Sequence, residues 1–236
     1  MKKYQKVYMD IYEKIKNGNL KSGDKLKSEK ELMEEYNVSR HTIRKALDIL
    51  QERGFLQKSQ GASTTITYKD PFSMPVSEIT SFQELNKLMG LEAKTEVVNL
   101  EIIQDKKISK KLFGLDSDEE IYKITRTREI EGQKVILDID YIRKNIINNL
   151  PLTVAQNSIY KYIEEDLGLS IGYAIKQFYA ETPSKEDLEL LDMKNYNVII
   201  VVESQTFLQD NTIFQHTLSR HRPDKFKFVD IAKRSI

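Results

Sequence analysis

The 236-residue chain contains no cysteine, which removes disulfides, thiolate nucleophiles and thiolate metal sites together. Its three histidines, His41, His216 and His221, stand at no spacing from one another or from acidic residues that suits a metal, so neither a metal nor another cofactor is expected. Long apolar runs are missing as well. Nothing approaches eighteen consecutive apolar residues, and no membrane partner is expected. The leading lysines are followed by no apolar stretch or cleavage signal, so no secretory leader is expected, and a reducing, cytoplasmic setting is. Catalysis has little to draw on. His216 and His221 lack an evident nucleophile–base companion, which leaves an enzyme acting on a small phosphate or aromatic acid as a remote alternative.

What is present is an uneven distribution of charge. The net charge is +1, yet residues 1–68 hold 14 Lys and Arg against 9 Asp and Glu, while the remainder carries a net of −4. A basic head on an acidic body suggests that only the head meets a polyanion. The bland alternative is scatter on a solvated surface, and the patterning of the head decides between them.

In the head, Tyr8, Ile11, Tyr12 and Ile15 follow the i, i+3, i+4, i+7 spacing of one helix face, ended by Asn17-Gly18. Ser28 followed by Glu31 is a capping-box signature for a second helix that buries Leu32 and Tyr36. Ser39 caps a third, with Ile43, Ala46, Leu47 and Leu50 inward and Gly54 as its stop. On the opposite face Arg40, His41, Arg44 and Lys45 project from the first two turns. A short helix, a tight turn and a helix with a basic N-terminal end is the layout of a helix-turn-helix, whose second helix enters the major groove. Arginine there bonds guanine edges, while Ser, Thr and Lys favour phosphates. Residues 55–68 alternate around Gly61 and predict a hairpin of about five residues per arm, which makes the head winged.

The stretch LKSGDKLKSEKELMEEYNVSRHTIRKALDILQERGFLQKSQGAS resembles the DNA-binding head of the GntR family of bacterial regulators. The resemblance implies DNA contacts at Ser28 and Lys30 of the second helix. It adds Ser39, Arg40, His41, Thr42 and Arg44 of the third and Gln60 and Gly61 of the wing, beside Lys45 on the same basic face. Lys27 stands where the family usually has proline, and Ser63 replaces a wing glycine.

Residues 69–75 hold two prolines in five positions and read as a semi-rigid linker between the 1–68 head and a 76–236 body. The body predicts strands at 96–104, 120–130, 134–142, 170–182, 198–208 and 212–222, and helices at 81–89, 108–113, 158–167 and 185–191. Adjacent strands without intervening helices indicate an α+β domain on a mostly antiparallel sheet. Within 122–128, Arg126 and Arg128 share a strand face with Tyr122 and Ile124. Buried guanidinium groups require an anion, either a carboxylate such as Asp138 or Asp140 or a ligand phosphate. The helix starts at Thr80-Ser81-Phe82 and Ser158-Ile159-Tyr160 offer free N–H groups to an anion, although most capped helices bind nothing. Gln215 and His221 have the same strand parity.

The phrases R-T-R (126–128), D-x-D-Y (138–141), N-S-I-Y (157–160) and S-R-H-R-P-D-K-F (219–226) resemble the effector-binding domain of the HutC-type branch of that family, which has a chorismate-lyase-like fold. The resemblance implies a homodimeric, effector-responsive regulator of a palindromic operator. It also implies a sugar-phosphate effector, with the phosphate on Arg126, Arg128, Ser158, Tyr160, Ser81 and Phe82, and sugar hydroxyls on Asp138, Gln215 and His221. The family commonly has Glu and Tyr at the last two positions. A disaccharide phosphate and a hexosamine phosphate both satisfy this chemistry.

Overall fold

A computed structural model describes residues 3–52, 54–58, 64–67, 73–74, 79–89 and 92–228. The chain divides into two units, Met1–Ser77 with Phe228–Ile236, and Glu78–Lys227.

In the first unit, α1 (Lys3–Lys16) begins five residues before Tyr8 and buries Val7, Tyr8, Ile11 and Tyr12. It packs on α3 (Arg40–Glu52), as does α2 (Glu29–Tyr36). The inward residues of α3 are Ile43, Ala46 and Leu50. Ser28 closes the capping box, since its backbone N–H donates to Glu31 at 2.7 Å and Glu31 N–H donates back to Ser28 Oγ at 3.3 Å. Asn37 ends α2 at φ +49°, a left-handed conformation that asparagine tolerates, and Ser39 then receives the Thr42 N–H. Strands β1 (Leu56–Lys58) and β2 (Thr64–Ile66) pair from Leu56↔Ile66 to Lys58↔Thr64. Among the described residues the two arms pair over three positions each. A backbone neighbour the sequence does not suggest lies beside β2: Lys25 bridges Thr65, and Leu26 N–H donates to Thr64 O at 2.8 Å. The wing tip at 59–63, with Gln60, Gly61 and Ser63, lies outside the described residues.

Within the expected linker, Ser73–Met74 form a short strand, β3.

The second unit opens with α4 (Phe82–Met89), β4 (Lys94–Gln104) and α5 (Lys106–Phe113), then β5 (Glu120–Ile130) and β6 (Gln133–Arg143). One helical turn, α6 (Leu152–Gln156), leads to α7 (Ile159–Lys161) and a π-helical turn at Tyr162–Asp166. After β7 (Ile171–Glu181) and α8 (Lys185–Leu190) come β8 (Ile199–Leu208), β9 (Ile213–His221) and a 3₁₀ turn at Pro223–Lys225; β10 (Lys227–Phe228) falls at the boundary of the two units. Six strands form one antiparallel sheet in the order β4-β5-β6-β9-β8-β7.

The central strands are covered on both faces, which is why β5 and β6 are buried almost throughout rather than alternately, whereas the edge strands β4 and β7 are largely exposed. On the inner face, which α6 and α7 cover, Tyr122, Ile124 and Ile142 pack with Ile147, Leu150, Ala155, Ile159 and Ile163 from those helices and their flanks. On the outer face, Leu137, Ile139, Ile199 and Val201 meet Leu191 and Met193, and Ile121 meets Leu112 and Phe113 of α5. α6 went unnoticed because a single turn carries no helical period. The π turn replaces the later part of the helix expected over 158–167.

Candidate functional sites

In the first unit, the basic face of α3 is open: Arg40, His41, Arg44 and Lys45 are exposed, with Thr42 half-buried. Two of these groups are held by a residue the sequence reading passed over. Glu29 of α2 accepts from Nε of Arg40 at 2.8 Å and from Nε of Arg44 at 3.1 Å. Both guanidinium groups, hydrogen-bonded first by Arg40, hold the Glu29 carboxyl below its ordinary pKa. With Nε engaged, each arginine presents its terminal nitrogens, the edge that makes end-on bidentate contacts. Lys45 lies 4.6 Å from the centre of the Tyr4 ring. Ser39 and Thr42 hydroxyls bond each other at 2.9 Å. Ser28 is committed to its cap, donating to Glu31 at 2.7 Å, and Lys30 is exposed beside it.

In the second unit, the period of two along β5, β6 and β9 places Arg126 and Arg128, Asp138 and Asp140, and Gln215, Thr217, Ser219 and His221 on the inner face. All but Thr217 and Ser219 are buried. Arg126 donates through Nη2 to Asp140 at 2.6 Å and through Nη1 to the Ala155 carbonyl at 3.1 Å. Arg128 donates through Nε to Asp138 at 2.9 Å and through Nη1 to Thr95 at 2.5 Å, and lies 4.4 Å from the centre of the Phe82 ring. The anions expected for the two arginines are therefore the two aspartates. Gln215 and Thr217 each donate to Asp140 Oδ1 at 2.8 Å, and Ser219 donates to Asp138 Oδ1.

These contacts set the charge states. Burial alone would lower the Arg126 pKa, but Asp140 and Asp138 outweigh it and raise it; in Arg128 burial prevails, and the pKa falls. Burial raises the Asp138 carboxyl, but Arg128 and Arg126 reverse the sign and hold it below its ordinary value. His221 is pushed down to about 4 by burial, against the pull of Asp138, so it is neutral at pH 7. Burial takes the Tyr160 hydroxyl up to about 12.

Three inner-face atoms remain buried without a hydrogen-bond partner among the described residues: Arg126 Nε, Gln215 Oε1 and His221 Nδ1. A buried polar group left unpaired is costly, so such atoms mark where a ligand would be held. The other expected residues are more loosely joined to this cluster. Tyr160 reaches Thr206, the register neighbour of Gln215, at 3.4 Å. Ser158 caps α7 through the Lys161 N–H, and the Ser81 hydroxyl is committed to Glu84 at 2.8 Å. Thr217 and Ser219 were missed although their parity with Gln215 and His221 is visible in sequence; Thr95 comes from another strand and carries no such signal.

The two sites thus define a winged helix-turn-helix protein whose second unit holds a buried cluster of charged and polar side chains on one face of its sheet. Residues 3–66 match the bacterial regulatory proteins of the gntR family, and residues 88–227 match the UTRA domain. The chain is 41% identical to the HTH-type transcriptional regulator TreR of Bacillus subtilis over 98% of each chain. The structure of the B. subtilis trehalose repressor effector-binding domain aligns at a TM-score of 0.56 and 43% identity, covering 61% of this chain and 99% of that one. The crystal structure of YydK of B. subtilis, described as a possible transcriptional regulator, aligns at 0.76 and 26% identity, over 99% of this chain and 100% of that one. The chain belongs to the GntR family, in its HutC-type branch with a UTRA domain, and is a transcriptional regulator. No helix among its described residues is long and apolar enough to cross a membrane.

Proposed function

We propose that this regulator is a homodimeric repressor of a trehalose-utilisation operon and leaves its operator when trehalose 6-phosphate binds the second unit. The observation that carries the proposal is the buried arginine pair with one guanidinium N–H, Arg126 Nε, still unpartnered, in a domain 43% identical to that of a trehalose repressor. The resemblance to that repressor supplies the name of the effector. The effector phosphate meets Arg126 and Arg128 with Ser158, Tyr160, Ser81 and Phe82 nearby, and its hydroxyls meet Asp138, Gln215 and His221.

Two arginines and two aspartates are balanced as they stand. An arriving phosphate must share the arginines with Asp138 and Asp140, so binding rearranges two buried ion pairs. If the ligand favours the off-operator arrangement, reciprocity requires that it weaken DNA binding, usually by about 1–3 kcal/mol. On the operator side, α3 of each protomer enters a major groove, with half-sites about one helical turn apart, through Arg40, His41 and Arg44. Ser28, Lys30, Ser39, Thr42, Lys45 and the wing residues Gln60 and Gly61 hold the backbone. Neutralised phosphates make operator affinity fall steeply with salt.

The test is an operator-fragment shift titrated with trehalose 6-phosphate, glucosamine 6-phosphate and N-acetylglucosamine 6-phosphate. Release by the first alone is expected. Release by an amino-sugar phosphate, with trehalose 6-phosphate inert, replaces the effector and keeps the regulator; turnover of any of them would instead revive an enzyme.

A further inference from the structure

The order of hydrogen bonds on the inner face determines what kind of group its free ends can meet. Ser219 Oγ lies within bonding distance of Asp138 Oδ1 and, at 2.9 Å, of His221 Nε2. A hydroxyl has one proton, and an ionised carboxylate only accepts. Asp138, held ionised by its two arginines, therefore takes the Ser219 proton. Only lone pairs are left on Ser219 for His221, so the ring proton must sit on Nε2. In a neutral imidazole the other nitrogen is then a bare acceptor. That nitrogen, Nδ1, is buried and has no partner among the described residues.

Gln215 follows the same rule on the neighbouring aspartate. Asp140 Oδ1 accepts from its Nε2 at 2.8 Å, which leaves Oε1 as a second bare, buried acceptor. Two acceptors on β9 and one donor, Arg126 Nε, make a polarity map. An anionic group fits the donor and is repelled by the acceptors; a hydroxyl proton fits the acceptors.

We infer that Ser219 is a positioning residue that holds His221 in its Nε2–H tautomer, and that His221 Nδ1 accepts a hydroxyl of the effector and not its phosphate. The inference deepens the sugar-phosphate reading above and rests on it for the identity of the hydroxyl. It separates the roles of two groups of residues: the arginines report the anion, and His221 reports the polyol.

The full-length protein with ¹⁵N-labelled histidine has three rings to resolve, and the His221 signals are identified by their loss in His221→Gln. At pH 7 without ligand, the expected spectrum is a single Nε2–H tautomer for His221, giving way to a mixture in Ser219→Ala and restored in Ser219→Thr. An Nδ1–H tautomer in the parent protein, or no change in Ser219→Ala, overturns the positioning role. Trehalose 6-phosphate should move the Nδ1 resonance, and inorganic phosphate should leave it unmoved. Ser219→Ala should weaken trehalose 6-phosphate about tenfold, the loss of one ordinary hydrogen bond, with phosphate binding unchanged. An Nδ1 shift of equal size with inorganic phosphate overturns the hydroxyl assignment. A protein that binds none of the three sugar phosphates loses the effector reading and the hydroxyl assignment together, while the tautomer measurement stands or falls alone.

Discussion

Each unit of this regulator holds a pair of arginines facing carboxylates, and the surroundings make the two pairs opposite in character. In the first unit, Arg40 and Arg44 share Glu29, with the arginine side chains 64% and 54% exposed. Water and salt screen those bonds, and a DNA phosphate or base edge can take over the guanidinium groups at little cost. In the second unit, Arg126 and Arg128 face Asp140 and Asp138 with every side chain at most 10% exposed. There each charge depends on its partner, because a bare ion in the interior costs several kcal/mol. An exposed pair is suited to a contact made and broken on a surface. A buried pair is suited to a two-state response, since neither arginine can release its aspartate unless another anion arrives.

The comparison breaks most readily at the buried end. Arg126→Ala should destabilise the second unit by about 3–5 kcal/mol, as thermal unfolding would read, because Asp140 is left buried with only neutral donors. The double change Arg126→Gln with Asp140→Asn should recover part of that loss. If the single variant unfolds with the parent, the pair is not a closed electrostatic unit. His221 gives the next effect. Its folded pKa of about 4 lies below the usual value of 6.5, so between these the unfolded chain binds the extra proton. Stability should therefore fall as pH drops from about 6.5 to 4, by roughly 3 kcal/mol at most from this ring. Asp138 adds loss in the same direction at lower pH, because its folded pKa is depressed. Unfolding curves of His221→Gln, compared with the parent across that range, isolate the histidine's share; parallel pH profiles would mean that its burial is not felt.

At the exposed end the effects shrink. Ser28→Ala removes the cap of α2 and should cost the first unit about 1 kcal/mol in chemical denaturation. Glu29→Gln should change stability by under about 1 kcal/mol, since its partners are largely in water. Its operator binding is the sharper readout: with a neutral amide oxygen in place of the carboxylate the two Nε–H groups are held more weakly, and discrimination between operator and unrelated DNA should fall while non-specific binding at low salt persists. Equal losses on both DNAs would reduce Glu29 to a surface charge.

The strands of the body were legible because period-two patterning survives in single sequences: β5 runs over the expected 120–130, and the other five long strands begin and end within two residues of expectation. The helices of the head were legible from caps, as at Ser28 and Ser39. Elements without a period or a cap were not. α6 is one turn behind a proline, and the bridge from Lys25 to Thr65 joins residues forty apart with no local signature. Glu29 was passed over for a different reason. In sequence it is one more acidic residue in the first turn of a helix, where the helix dipole alone accounts for it.

The two misplaced arginines mark the limit between the kinds of information. Residue order decides that Arg126 and Arg128 point to the same side as Tyr122 and Ile124, because alternation along a strand is a local property of the backbone. It decides equally that buried guanidinium groups need anions. Which anions they have, that Ser219 stands between Asp138 and His221, and that three polar atoms are left unpaired are matters of strand order. β6 lies between β5 and β9, and only that arrangement brings residues 126, 140 and 215 to one place, since hydrogen bonds are decided by distances of a few tenths of an ångström between atoms far apart in the chain.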